Sequence, residues 1–159
     1  MRVLGIDPGF DRLGLAVLEG DASRPQHVWS TCVMPAKGLQ EARLAEVYAA
    51  VASAISEHSP EAIAIETLFF SANKKSALAV AEARGAILAA AGIARIPVRE
   101  FSPGTVKLAV TGHGSADKAA IARMIPRLIT LPPVARRLDD ELDAIAVAIA
   151  GLSARLHAI

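Results

Sequence analysis

The chain has 159 residues, 53% hydrophobic and 21% charged; a disordered tail is excluded, because such a tail could not bury enough apolar surface to offset its chain entropy. The longest apolar runs, 85–94 and 144–152, are about half the length that spans a bilayer, and no export leader is expected from the N-terminal residues. A lone cysteine, Cys32, cannot close an intrachain disulfide, so a reducing, cytoplasmic setting is expected, and the formal charge of +1 does not by itself suggest a nucleic-acid partner.

Residues 1–7 read as a short buried strand, with Val3, Leu4 and Ile6 ending at Asp7-Pro8-Gly9. Residues 13–18 and 27–34 read as two more strands, and the short turn-rich gaps predict an antiparallel meander. Residues 38–58 carry Leu39, Ala42, Ala45, Tyr48, Ala49, Ala52 and Ile55 at helical spacing. A fourth strand over 62–66 is followed by a turn at Thr67-Leu68-Phe69-Phe70, then an Ala-rich helix over 73–91 closed near Gly92. A fifth strand is expected over 96–101. Pro103 opens a helix to residue 110, and Ser115 is placed as the cap of a helix over 116–128. Pro132-Pro133 interrupts the chain before a last helix over 138–157.

Three strands, a helix, then strands alternating with helices predict an α/β protein of the ribonuclease H-like fold. Its expected form is one domain over 1–159, a mixed five-stranded sheet whose first three strands are antiparallel, flanked by α-helices. This order speaks to fold and leaves function to the site.

Charge is unevenly distributed. Residues 1–73 hold five basic and nine acidic side chains, net −4; residues 74–137 hold eleven and three, net +8; residues 138–159 return to −3. A basic middle of this kind is a candidate phosphate-binding surface.

The acids form a constellation. Asp7 and Glu66 each end an apolar strand, and strands joined through a helix can run parallel and adjacent, about 4.8 Å apart. Asp140 and Asp143 lie three apart on one face of the last helix, with Asp139 blurring the register at the first of them. Four carboxylates brought together repel unless divalent cations compensate them. Hard oxygen ligands without a cysteine cluster favour Mg²⁺ or Mn²⁺ over zinc. Two such ions about 3.5–4 Å apart can activate a water and stabilise the leaving oxygen of a phosphodiester.

Gly5-Ile6-Asp7-Pro8-Gly9, Ala64-Ile65-Glu66 with Phe69 close behind, Gly112-x-Gly114-x-Ala116-x-Lys118 and Asp140-x-x-Asp143-Ala144 occur in that order. Together they closely resemble the RuvC family of Holliday-junction resolvases, over nearly the whole chain. The resemblance implies a homodimer that binds a four-way DNA junction and nicks two strands of like polarity with Mg²⁺, leaving a 5′-phosphate and a 3′-hydroxyl. It also suggests a branch-migration motor as partner. Asp7, Glu66, Asp140 and Asp143 are the implied metal ligands.

Lys107 and Lys118 match positions where the family's lysines approach the scissile backbone, and an ammonium there would offset charge in the transition state. Phe69 matches a family aromatic that stacks on an unpaired base, an interaction worth roughly 1–3 kcal/mol. Lys74, Lys75 and Arg84 are expected to extend the electrostatic footprint. Trp29, Tyr48 and Phe101 read as core, and the Gly-x-Gly loop before Lys118 as a source of N–H groups for a phosphate. The alternative is a nuclease of the same fold acting on RNA or an RNA–DNA hybrid. An actin-like nucleotide-binding module is excluded by the absence of a duplicated domain.

Overall fold

β1 (Arg2–Asp7) is the central strand of a five-stranded sheet. The computed structural model describes residues 1–67, 74–134 and 137–154, the side chains of 74–76 excepted. On one side β1 pairs antiparallel with β2 (Leu13–Glu19), and β2 with β3 (Gln26–Val33). On the other it pairs parallel with β4 (Ala62–Glu66), and β4 with β5 (Val98–Phe101). This is the ribonuclease H-like sheet expected from the order of elements.

Strand side chains alternate between faces, and the sequence sorts large from small accordingly. Leu4, Ile6, Leu13, Leu15, Val17, Ile63 and Ile65 are buried with Val47 and Val51 of α1 (Gln40–His58) and Ala83 and Ile87 of α2 (Lys74–Ala94). Each large aliphatic so buried contributes roughly 1.5–3 kcal/mol. The opposite face carries Val3, Ala16 and Ala64, against which α5 (Asp139–Ser153) packs, with α3 (Pro103–Thr111) and α4 (Lys118–Leu128) beside it.

Alanine and glycine on that face let α5 lie unusually close. A Cβ on Gly5 would stand 2.5 Å from the main-chain nitrogen of Ala148, and one on Gly14 would stand 2.7 Å from the carbonyl carbon of Asp140. Glycine within a strand marks close backbone approach, and here the approaching backbone is the acidic helix. From Ala144 to Leu152 every residue of α5 is buried.

Several boundaries differ from expectation, among them three at helix ends. α2 continues through Gly92 to Ala94 and closes with Arg95 at φ 57, whose N–H meets the Gly92 carbonyl at 3.1 Å while Ile96 N–H reaches Ala91 at 3.0 Å. That double closure satisfies the last carbonyls without a glycine in the left-handed position. The cap of α4 is Asp117, accepting from Ala120 N–H at 2.6 Å, two residues later than Ser115. α5 ends at Ser153, and residues 155–159 lie outside the described residues.

Candidate nuclease centre

Period-two alternation puts Asp7, at the end of β1, and Glu66, at the end of β4, on the face that α5 covers. Ile6 is in register with Ile65 across the parallel ladder, so the two acids leave the sheet side by side. α5 begins directly above, with Asp139, Asp140 and Glu141 in its first turn, where the helix dipole favours negative charge. The four expected carboxylates, Asp7, Glu66, Asp140 and Asp143, line one cleft of 340 Å³, together with Lys107 of α3 and Lys118 of α4.

The lysines arrive by capping. Ser102 accepts from Thr105 N–H at 3.1 Å and Pro103 fills the first turn, which sets α3 and aims Lys107 at the cleft. Asp117 does the same for α4, so Lys118 is its first residue. The Lys118 ammonium bonds Asp143 Oδ2 at 2.8 Å.

Repulsion among the acids is visible in their proton affinities. Burial, then Asp143, Glu66 and Asp140, push the Asp7 carboxyl up to about 7, and Lys118 opposes them. Glu66 is raised too, by burial and Asp143, against Lys118 and Lys107. The hydrogen bond to Asp143 holds the Lys118 ammonium above its ordinary value.

Among the described residues no three His, Cys, Asp or Glu side chains stand as a ready-made ion cage. Side-chain cations hold two of the carboxylates instead: Lys118 on Asp143, and Arg12 Nη1 on Asp140 Oδ2 at 3.4 Å. The donor set nonetheless fits a hard divalent cation. It consists of carboxylate oxygens, it faces one cleft, and burial together with the neighbouring carboxylates raises Asp7 to about 7, a cost that a bound cation would offset.

Several positions behave differently from their sequence reading. Arg84 does not extend a DNA-binding surface. Its side chain is buried, donates to the Glu66 main-chain oxygen at 2.9 Å, and pairs with Glu100 at 2.7 Å. Thr67 N–H bonds the Phe101 carbonyl at 2.9 Å, so the end of β4 is held from two sides. Three N–H groups of the Gly-x-Gly loop are spent internally: Gly112 closes α3 on Leu108, His113 meets Thr111 Oγ1, and Ala116 meets the His113 carbonyl. His113 opens onto a separate groove with Arg123 and Arg127.

Phe101 is buried as expected, while Trp29 and Tyr48 are only partly buried against the core, Trp29 also packing on His58 with ring centroids 4.9 Å apart. Phe69 and the side chains of Lys74 and Lys75 lie outside the described residues. Cys32, in register with Gly14, has its thiol pushed up to about 11 by burial and Asp140, so it stays protonated. Sequence reasoning missed Arg12, and it missed Arg43, whose guanidinium lies 3.9 Å over the Phe10 ring and bonds the Phe10 carbonyl and Asp11, bracing the loop after Asp7.

An open mixed sheet with acids at the ends of two neighbouring strands, a second pair on the helix laid across them and lysines facing all four places the chain among the ribonuclease H-like nucleases. Residues 3–151 match the family model described as crossover junction endodeoxyribonuclease RuvC. RuvC of Alkalilimnicola ehrlichii is 42% identical over 95% of this chain and 90% of its own length, and RuvC of Gloeobacter violaceus 44% over 95% and 87%. T. thermophilus RuvC, solved in complex with a Holliday junction substrate, superposes with a TM-score of 0.88 at 34% identity, over 94% of this chain and 92% of that one. The chain belongs to the RuvC family of crossover junction endodeoxyribonucleases.

Proposed function

We propose that this chain, as one domain, is a structure-selective endodeoxyribonuclease that resolves Holliday junctions in DNA recombination and repair by nicking two strands of like polarity. The observation that carries the reading is the cleft where Asp7, Glu66, Asp140 and Asp143 meet Lys107 and Lys118. Membership of the RuvC family favours the junction over an RNA–DNA hybrid as substrate.

The four carboxylates would hold Mg²⁺, two ions per site, with Mn²⁺ as a substitute. Bound there, the ions supply an activated water and stabilisation of the leaving oxygen in phosphodiester hydrolysis. Lys107 and Lys118 offset charge that gathers on the phosphoryl oxygens, and Lys118 is free to do so once Asp143 has another cation. Buried walls from Val106, Ile121 and Ala146 limit water at the scissile bond. Products are a 5′-phosphate and a 3′-hydroxyl.

Phe69 stacks on an unpaired base at the junction centre, and Lys74 and Lys75 hold flanking phosphates. Two symmetric cuts call for a twofold protein. Support for a homodimer comes from the outer face of α2, where Leu78, Leu88 and Ile93 are exposed and space is open around Gly85 and Gly92. Action in the cytoplasm, beside a branch-migration motor, completes the reading. No helix of the described residues is long and apolar enough to cross a membrane.

The test is a labelled mobile four-way junction, an RNA–DNA hybrid and Mg²⁺, with the unmutated protein and Asp7→Asn. Paired symmetric nicks on the junction alone, absent in Asp7→Asn, are expected. Tight binding without nicking by the unmutated protein would overturn the enzymatic reading, and equal nicking by both proteins would overturn the carboxylate centre.

A further inference from the structure

Glu141 sits between Asp140 and Asp143 in the first turns of α5 yet points away from the cleft, toward edge strand β3. Its side chain is only 14% exposed, and Ser30 Oγ donates to Glu141 Oε1 at 2.6 Å. Ser30 in turn stands 2.8 Å from His27 Nε2. A serine hydroxyl has one proton, and Glu141 receives it, so His27 Nε2 is the donor to Ser30.

Two residues three apart on a regular strand point to opposite faces. Here the pairing register shifts between Val17 and Leu18, which face Trp29 and His27, so β3 has an extra residue at Val28. The bulge turns His27 to the same side as Ser30 while Val28 and Trp29 pack on the other. Bulges often re-aim a side chain in this way, and the re-aimed histidine completes a chain that ends on the acidic helix.

From the other direction Arg137 Nε lies 3.4 Å from the same Glu141 oxygen, and its Nη2 donates to the Pro132 carbonyl at 3.2 Å. Glu141 thus joins β3, α5 and the segment leading into α5. That anchorage matters because the α5 N-cap, Leu138, supplies no side-chain hydrogen bond, and Asp139 and Asp140 crowd the same turn. An uncapped turn of like charges lacks its usual restraint.

We infer that Glu141, gripped by Ser30, His27 and Arg137, is a positioning residue that fixes the first turn of α5 and so sets the spacing at which Asp140 and Asp143 meet a divalent cation. This rests on the metal centre proposed above. Ligand-orienting partners of this type govern metal affinity although they never touch the ion.

The test measures Mn²⁺ binding directly, from the electron paramagnetic resonance of free Mn²⁺, in the whole chain without DNA. Glu141→Ala is expected to weaken binding about tenfold and Ser30→Ala about threefold. Glu141→Gln keeps an acceptor for Ser30 while losing the charge, and is expected to stay within about twofold of the unmutated protein. Unfolding temperatures in chelator are recorded alongside. If Glu141→Ala and Ser30→Ala unfold earlier but bind Mn²⁺ as tightly as the unmutated chain, Glu141 is only a structural brace and the inference falls. Equal weakening in Glu141→Gln and Glu141→Ala overturns it as well, since bulk charge would then be the cause. Should Glu141→Ala fail to fold, Ser30→Ala decides alone, because it removes a single hydroxyl. Absence of Mn²⁺ binding by the unmutated protein would overturn the metal centre itself, a distinct failure that takes this inference with it.

Discussion

Gly14 of β2 and Asp140 of α5 are in backbone contact: the place a Gly14 side chain would occupy is filled by the Asp140 carbonyl group. Gly14 is also the ladder partner of Asp7. The distance between the strand carboxylate and the helix carboxylate is therefore set by a missing methyl group. Gly14→Ala is expected to lift the first turn of α5, costing about 3 kcal/mol of stability as overpacking does. Urea denaturation measures the first effect and Mn²⁺ titration the accompanying loss of affinity; an unchanged midpoint would show that the helix yields freely.

Asp7 carries a sign that can be checked. Its carboxyl is raised from 3.8 to about 7 in the folded chain, so the folded state holds a proton that the unfolded state releases. Without divalent cations, stability is fully present below the unfolded value and falls as pH rises between about 4 and 7. Asp7→Asn removes that dependence. Its melting temperature in chelator at pH 7.5 is expected to exceed the unmutated protein's by several degrees, for a gain on the order of 3 kcal/mol. A lower melting temperature for Asp7→Asn would contradict the crowded-carboxylate account.

Lys118 pairs with Asp143 at 2.8 Å and is expected to turn to the phosphate when substrate and cations are bound. Lys118→Ala should slow nicking about 10²-fold or more while junction affinity changes little, as for other groups that act on transition-state charge. Single-turnover rates with saturating enzyme separate the two. A large affinity loss at an unchanged rate would assign Lys118 to binding instead.

Arg84 is expected to matter for stability and not for DNA charge. Arg84→Met strands the Glu66 carbonyl and frees Glu100, at about 2 kcal/mol once the exposure of Glu100 is allowed for. The slope of junction affinity against salt should not move; a fall of about one unit would mark a phosphate contact.

What the amino-acid order discloses follows from how local each signal is. Asp7 and Glu66 were legible because each terminates an apolar run and alternation assigns it a face. Gly14 was not, since a strand glycine announces a close neighbour without naming it. Arg84 reads from sequence as part of the basic surface with Lys74 and Lys75, and only the fold reveals that its guanidinium turns back to the Glu66 carbonyl at the end of β4. Ser115 and Asp117 are both good caps. Asp117 takes the role in the structure, and the α4 that begins there buries Ile121 and Ile125. The Lys118–Asp143 and Ser30–Glu141 pairs join residues 25 and 111 positions apart, beyond any local pattern.

Nine consecutive buried residues, Ala144 to Leu152, leave α5 no free side along which to slide or roll. If the carboxylates hold ions as proposed, the adjustment that admits and releases them within α5 falls to the side chains of Asp140 and Asp143, ahead of Ala144, while Glu141 keeps the turn itself in place. One helix is divided along its length into an immobile shank and a working tip. On the proposed metal centre the tip would change grip between lysine and metal while the shank stays packed on the sheet.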